Sequence, residues 1–156
     1  MRRHSFAVAT AAVTLALSGV AASPAHAATC YGGACNGKNP STAGCTNISS
    51  VRTADSADGL KHLELRYSSS ASCDAYWARA RYDDVYWSGT YLIFSVERRY
   101  DYNGITNYYS SDVDESESGF TMMFGRAKGF SYRACMREKW SGGNDVFTKC
   151  TSWVAG

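Results

Sequence analysis

The sequence predicts an all-β protein, an antiparallel sandwich or partly open barrel of about six to eight strands, stapled by three disulfides. Several segments alternate apolar and polar residues with a period of two, and turns rich in Gly and Asn separate them. No segment shows a convincing helical period. Six cysteines follow a leader typical of export, and exported proteins form disulfides.

Residues 1–27 predict a secretory signal peptide. They begin with basic residues, the run Phe6–Ala22 carries no charge, and Ala25–Ala27 matches the small-x-small cleavage pattern. A membrane anchor is the alternative, but the run is short for a span and no second apolar stretch follows. We therefore predict one secreted domain over residues 28–156, which begins with a Cys- and Gly-rich arm over residues 28–45 and has no membrane span after cleavage.

The charge of the mature chain is balanced. Removal of Arg2 and Arg3 leaves 14 Lys and Arg against 14 Asp and Glu. This balance argues against nucleic acid as a partner, because nucleic-acid binding usually requires a basic excess. Residues 112–117 are acidic and residues 126–139 are basic, and two solvated faces are favoured over a partner patch.

The cysteine spacing favours disulfides over a metal site or a redox centre. Both alternatives require two cysteines that are separated by two residues. A zinc site would combine such pairs, usually with histidine, and a redox dithiol would use the same spacing. Here the first spacing is C-x4-C, and His62 is the one mature histidine. We predict three disulfides and no cofactor or metal. The six cysteines are Cys30, Cys35, Cys45, Cys73, Cys135 and Cys150.

The last two strands predict one disulfide directly. Phe130–Met136 and Val146–Trp153 are rich in aromatic and β-branched residues, and Gly142-Gly143 between them suits a tight hairpin turn. Folding at that turn places Cys135 opposite Cys150, within the reach of a disulfide. The same register predicts two further pairs, Tyr132 with Trp153 and Arg137 with Thr148.

The other four cysteines can pair in three ways. We favour Cys35–Cys45, which would close a loop of Gly, Asn and Pro. Cys30–Cys73 would then tie the start of the chain to the sheet.

An earlier hairpin is predicted from alternation in Lys61–Tyr67 and Cys73–Arg81. In the first of these segments Leu63 and Leu65 share one face with Tyr67. The register expected for the pair places the side chains on the other face in two cross-strand contacts. These are an ion pair of Glu64 with Arg79 and a cation–π stack of Arg66 on Trp77.

The strongest strand is Tyr91–Val96, which continues to Tyr102. Asn103-Gly104 follows and predicts a two-residue turn, with residues 105–110 as the returning strand. The expected pairs are Tyr102 with Ile105 and Tyr100 with Asn107. Two shorter predictions complete the chain, a strand over Gly119–Phe124 and a possible helical turn within Thr42–Arg52.

Two segments together resemble a YjfA-like family of small exported bacterial proteins of unknown function. They are CYGGACNGKNPSTAGC (residues 30–45) and LELRYSSSASCDAYWARAR (residues 63–81). Asn39 stands where an Asp is common in that family. The resemblance implies secretion and treats the first four cysteines as a unit, and it implies no activity.

Five residues are predicted binding residues. Exposed Tyr and Trp rings on strands can stack on sugars, although the same rings also fill small β cores. Lys38 is expected at the tip of a loop held by a disulfide, as in small protease inhibitors. The five are Lys38, Arg66, Trp77, Arg79 and Trp87.

No catalytic residue is predicted. His62 is expected on an exposed strand face, and no nucleophile elbow occurs. Carboxylate pairs for glycoside hydrolysis, Glu64 with Glu97 or Asp83 with Asp84, are expected by chance among 14 acids.

The sequence therefore predicts a secreted, monomeric, non-catalytic module that binds a cell-wall glycan or another envelope polymer. A protein-binding module, such as a protease inhibitor that uses Lys38 or residues 126–139 to bind another secreted protein, is the alternative. A small secreted hydrolase is the second alternative.

Overall fold

The computed structural model describes residues 30–83, 90–113, 118–140, 142 and 145–156. These residues form two antiparallel sheets that pack face to face and do not close into a barrel, so the predicted all-β class is confirmed. The predicted signal peptide, Asp84, Trp87 and most of the predicted Gly142-Gly143 turn lie outside the described residues.

Sheet A has the strand order β1–β2–β3–β6, and β7 also pairs with β3. Its strands are β1 (Ile48–Asp55), β2 (Lys61–Ser70), β3 (Cys73–Tyr82), β6 (Ser118–Phe120) and β7 (Phe124–Gly125). The strand predicted over Gly119–Phe124 is thus divided in two. Thr121 lies between the two parts, and its Oγ1 accepts a hydrogen bond from the Ala78 backbone.

Sheet B has the order β10–β8–β4–β5, and β9 also pairs with β8. Its strands are β4 (Thr90–Tyr100), β5 (Thr106–Val113), β8 (Phe130–Trp140), β9 (Asp145–Cys150) and β10 (Val154–Ala155). A short 3-10 turn at Gly32–Cys35 precedes both sheets. The helical turn considered for Thr42–Arg52 is limited to a single turn at its start, where Ala43 N–H bonds to the Asn39 carbonyl at 3.0 Å, and β1 then starts at Ile48.

The core lies between the two sheets and follows the period-two alternation. Leu63 and Leu65 of β2 are fully buried, as predicted, against Phe94 and Val96 of β4. Apolar side chains at alternate positions contact the opposite sheet, and the intervening side chains point outward. A ligand can therefore reach the sandwich at the outer faces of the sheets and at the ends of the space between them.

The two ends of the space between the sheets are closed differently. At one end, the paired end, Lys61 Nζ lies 2.8 Å from Asp58 and 3.5 Å from Glu138 of sheet B. At the other, the aromatic end, the rings of Tyr67, Tyr76 and Tyr132 stack with centroid distances of 4.6 and 4.3 Å.

The predicted Cys135–Cys150 disulfide is confirmed, and Arg137 lies opposite Thr148 as expected. The predicted pair of Tyr132 with Trp153 is wrong, because Tyr132 pairs with Val154. The cause is Thr151, whose backbone N–H and side-chain Oγ1 both bond to the backbone of Ala134. This side-chain bond interrupts the ladder and shifts the register by one residue.

The predicted pairing of the first four cysteines is wrong. The disulfides are Cys30–Cys35 and Cys45–Cys73, not Cys35–Cys45 and Cys30–Cys73. The 3-10 turn at Gly32–Cys35 brings Cys35 back to Cys30, with 4.9 Å between their Cα atoms. Residues 30–45, the arm, then pack on the outer face of sheet A.

The register predicted around Asn103-Gly104 is also wrong. The chain turns through a four-residue loop, in which Tyr100 N–H bonds to Ile105 and Arg98 pairs with Asn107. Gly104 adopts a positive φ of 71°, but Asn103 does not. The predicted two-residue turn requires a positive φ at both residues and therefore does not form.

Candidate functional site

A groove runs across the outer face of sheet B. Alternation along β4 turns Ile93, Ser95 and Glu97 away from the core, since Phe94 and Val96 point into it. The groove has a volume of about 370 Å³. This lies within the range of ligand pockets, about 300–1,000 Å³.

Cross-strand pairing brings side chains from four strands into this groove. Ser95 lies between Ser110 of β5 and Cys135 of β8, so the Cys135–Cys150 disulfide forms part of the floor. Hydroxyl groups donate and accept hydrogen bonds, which suits a polar ligand. Other groove residues are Glu97, Tyr108, Arg133, Arg137 and Thr148.

The charges in the groove are unequally compensated. Arg133 Nε donates to Glu97 Oε2 at 2.8 Å, and the Arg133 guanidinium lies 4.4 Å from the centre of the Trp153 ring. Arg99 lies over the same ring at 4.4 Å. Arg137 is exposed, and no carboxylate among the described residues lies within 4.0 Å of it. Among the described residues of the groove, Arg137 is therefore a cation that an anionic ligand can reach.

Tyr108 supplies an aromatic surface at the rim. It lies on the edge strand β5 directly opposite Glu97, and 67% of its surface is exposed. An exposed ring beside hydroxyl and guanidinium groups can stack on a sugar ring while its neighbours bind polar substituents. The groove thus combines an aromatic platform, hydroxyls and a cation.

The predicted binding residues of sheet A have a different environment. The predicted register is confirmed, with Glu64 opposite Arg79 and Arg66 opposite Trp77. Glu64 forms its ion pair with Arg66 on its own strand, at 2.9 Å, and not with Arg79. Trp77 is 4% exposed and belongs to the buried cluster under the arm, so its ring is not a surface for stacking.

Lys38 is exposed, but its loop does not protrude freely. Gly37 N–H bonds to the Met123 carbonyl, and Met123 N–H bonds to the Lys38 carbonyl, both at 2.9 Å. The backbone at Lys38 is therefore fixed to sheet A. Trp87, the fifth predicted binding residue, lies outside the described residues.

The groove combines residues that the sequence analysis treated separately. The basic segment 126–139 contains Arg133 and Arg137, and the Cys135–Cys150 register already placed Arg137 beside Thr148. Tyr108 and Ser95 were missed as site residues. Their outward positions could have been found by extending the alternation of Tyr91–Val96 and pairing it across β4 and β5.

His62 is held by two carboxylates. Its Nδ1 lies 2.7 Å from Asp55 and its Nε2 lies 2.6 Å from Asp83. Asp83 also pairs with Arg81 at 3.0 Å. A general base needs a ring nitrogen that can take a proton from a substrate, and both nitrogens are engaged here. The arrangement joins the ends of β1, β2 and β3.

The carboxylate pair Glu64 and Glu97 does not meet the geometry of a glycosidase. The two side chains point outward from opposite sheets, since Leu65 and Val96 beside them are buried in the core. Packed sheets lie about 10 Å apart, and glycosidase carboxylates lie about 5–9.5 Å apart. Burial raises the pKa of Glu64, but the Ser50 hydrogen bond and the charges of Arg66 and Arg79 outweigh it and lower the pKa overall. A general acid requires the opposite shift.

The sulfur atoms of Cys30, Cys35 and Cys73 lie within 4.8 Å of one another. All three belong to disulfides, whereas zinc binds thiolates. With the disulfides intact, the donor set does not suit a metal ion.

Comparisons with family models, curated proteins and solved structures found no match to this chain. The resemblance to YjfA-like proteins therefore stays a prediction. The described part of the chain contains no helix with the length and apolar character needed to cross a membrane.

Proposed function

We propose that the protein is a secreted, non-catalytic binding module whose groove on sheet B holds an anionic glycan or another anionic polymer of the cell envelope. The observation that carries this proposal is that one open groove is lined by exposed Tyr108 and by Arg137, which has no described carboxylate within 4.0 Å. Secretion is inferred from residues 1–27 and agrees with the three disulfides.

The groove suits a chain-like ligand. It is open to solvent along the outer face of sheet B, so an extended polymer can lie across the strands without entering the core. Arg137 would bind a carboxylate or phosphate group with charge-assisted hydrogen bonds. Ser95, Ser110 and Thr148 would bind sugar hydroxyls, and Tyr108 would stack on a ring.

The test is retention of the purified protein on defined wall polymers. Peptidoglycan, a phosphate-bearing wall polymer and a neutral insoluble polysaccharide separate the ligand classes. We expect retention on at least one anionic polymer, reduced about 10-fold by Arg137→Gln and by Tyr108→Ala, the loss expected for one charge-assisted bond or one ring stack.

Lys38→Gln is the matched control, because it removes an exposed cation on the arm outside the groove. It should leave retention unchanged. Retention that falls equally in Lys38→Gln and Arg137→Gln, or no retention on any polymer, would contradict the proposal.

A protein-binding module is the second candidate, and the fixed backbone at Lys38 favours it. A loop ordered before binding loses little conformational entropy on association. Affinity capture from spent medium should then recover a stoichiometric protein partner that Lys38→Gln releases and Arg137→Gln does not. The two variants therefore distinguish the two candidate functions.

A further inference from the structure

A second candidate site lies at the aromatic end, around Arg98. Arg98 follows Phe94 and Val96 at the inward-facing positions of β4. Its side chain therefore extends from the core strand into the end of the space between the sheets. An arginine at this position must find partners within that end of the sandwich.

Aromatic rings from both sheets flank this guanidinium. The Arg98 Cζ lies 4.5 Å from the centre of the Phe124 ring, on β7, and 4.8 Å from that of Phe130, on β8. Both distances are within the range of cation–π attraction. Because the rings flank the planar guanidinium, a ligand can reach its hydrogen-bond donors along the edge of the plane.

Those donors are poorly satisfied. Arg98 Nη1 reaches Asn36 Oδ1 at only 3.5 Å, and that oxygen already accepts from Gly125 N–H at 2.9 Å. Arg98 Nε is shielded from solvent and has no hydrogen-bond partner. Within the described ranges, no carboxylate lies within 4.0 Å of this guanidinium. A shielded N–H donor without an acceptor is costly, and the remaining donors of the guanidinium are free to bond to an oxyanion that enters from solvent.

A cleft of about 350 Å³ opens beside Arg98. One wall is aromatic, because Tyr109 stacks on Phe124 with 4.4 Å between the ring centres. The exposed Thr106 and Asn107 add a hydroxyl and an amide at the rim. The cleft therefore offers a cation, an aromatic wall and two polar rim groups.

We propose that this cleft is a binding site for a small molecule that carries an oxyanion, a carboxylate or a phosphate, on an aromatic or apolar body. The Arg98 guanidinium edge binds the oxyanion, and the body packs against Tyr109 and Phe124. Apart from Tyr108, this site has different lining residues from the groove on sheet B, and it does not depend on polymer binding there.

Benzoate, phenyl phosphate, acetate and inorganic phosphate are the probes for the folded protein. Calorimetry measures affinity, and the Arg98 Nε–Hε resonance reports whether binding changes the environment of the guanidinium. We expect the two aromatic probes to bind more tightly than acetate and phosphate, and the tighter of the two identifies the preferred oxyanion. Arg98→Gln should weaken binding by about 10-fold or more through loss of the charged fork.

Asn107→Trp is a second variant that leaves the core intact. Asn107 is exposed at the rim, so a large side chain at this position blocks the cleft. This variant therefore still tests the site if Arg98→Gln fails to fold. We expect Asn107→Trp to abolish binding of the aromatic probes, and Arg137→Gln, in the groove, to leave it unchanged. Tyr108 lines both sites and is therefore left unchanged.

Two results would overturn this inference. One is equal affinity of the aromatic probes for the wild type and for the folded cleft variants, and the other is no binding of any probe at millimolar concentration. Polymer retention is expected to be unchanged in Asn107→Trp. A negative result for small-molecule binding in the cleft can thus be distinguished from a negative result for polymer retention by the groove.

Discussion

Lys61 and Arg98 are both cations at inward-facing positions, one at each end of the sandwich, and they are partnered differently. Lys61 is 6% exposed and contacts the carboxylates of Asp58 and Glu138. Arg98 lies between Phe124 and Phe130, with no described carboxylate within 4.0 Å. One charge is neutralised by carboxylates within the fold, and the other has no counter-charge among the described residues.

From this difference we infer that the charge at one end serves stability and the charge at the other end serves binding. A buried ion pair makes each partner dependent on the other, because removal of one leaves the second uncompensated. A cation held by rings keeps its favourable contacts without a counter-ion. Replacement of the cation should therefore be costly at the paired end and better tolerated at the aromatic end.

The largest effect is expected from Lys61→Met. It leaves Glu138, which is 7% exposed, without its cation, and it removes the partner of Asp58. We expect a loss of about 3 kcal/mol or more in the free energy of unfolding, measured with urea. The double variant Lys61→Met/Glu138→Met should recover much of that loss, and a double variant no more stable than the single one would contradict the interpretation.

An intermediate effect is expected from Tyr132→Phe at the aromatic end. Tyr132 Oη donates to the Gly125 carbonyl and accepts from Ala127 N–H, both at 2.9 Å. Loss of the hydroxyl leaves both backbone groups unpaired and should cost about 2 kcal/mol. Urea unfolding at neutral pH measures this loss, and an unchanged midpoint would argue against these bonds.

The raised pKa of Tyr132 predicts that the protein loses stability at alkaline pH. Burial raises the pKa of Tyr132 to about 12, although the Ala127 hydrogen bond and the charge of Arg98 act in the opposite direction. Because its pKa is raised in the fold, protonated Tyr132 contributes to stability at pH values below the ordinary tyrosine pKa near 10. This contribution is lost as the pH rises from there toward 12. Burial also raises the pKa values of Tyr67 and Tyr76. Tyrosinate absorbance should therefore show one late-titrating group fewer in Tyr132→Phe than in the wild type.

A smaller effect is expected from Arg98→Met. No described carboxylate is left unpaired, and the apolar side chain can still pack between Phe124 and Phe130, so we expect a loss of only about 1 kcal/mol. Arg99→Met, which removes a guanidinium from the partly exposed Trp153, is the control for cation–π contact alone. A loss as large as that of Lys61→Met would reveal a counter-charge at Arg98.

The smallest effect is expected at acidic pH, where protonation of Asp58 lowers the stability of the fold. The hydrogen bond from Lys61, aided by one from Ser56, holds the pKa of Asp58 far below its ordinary value. A lowered pKa stabilises the fold above about pH 4, and this contribution disappears as the pH falls. The Asp58 side chain is 47% exposed, so stability should fall only slightly with decreasing pH. Urea midpoints below pH 4 should decline less steeply in Asp58→Asn than in the wild type.

Local patterns predicted the parts of the fold in which neighbouring strands fold back on each other. The alternation around Leu63 and Leu65 fixes which face is buried, and a slip of one residue would expose both. The pairing of Cys135 with Cys150 follows from one turn and simple strand geometry. In both cases the residues that decide the structure are close in sequence.

The parts that were missed depend on distant contacts. Pairing among the first four cysteines depends on how the arm packs on Met123 and Trp77, and the spacing of the cysteines does not encode this. The groove needs β4, β5, β8 and β9 in one order, which alternation within a strand cannot supply. Arg98 presents the same difficulty, since its flanking rings come from different sheets.

The position of Trp77 under the arm gives the molecule an internal optical reporter. Its indole belongs to the same buried cluster as Cys30, Cys35 and Cys73. Disulfides quench excited indoles by electron transfer over short distances, so this tryptophan should be dim in the native protein. Its emission should brighten when the arm lifts or its disulfides are reduced, which would distinguish detachment of this segment from melting of the sheets.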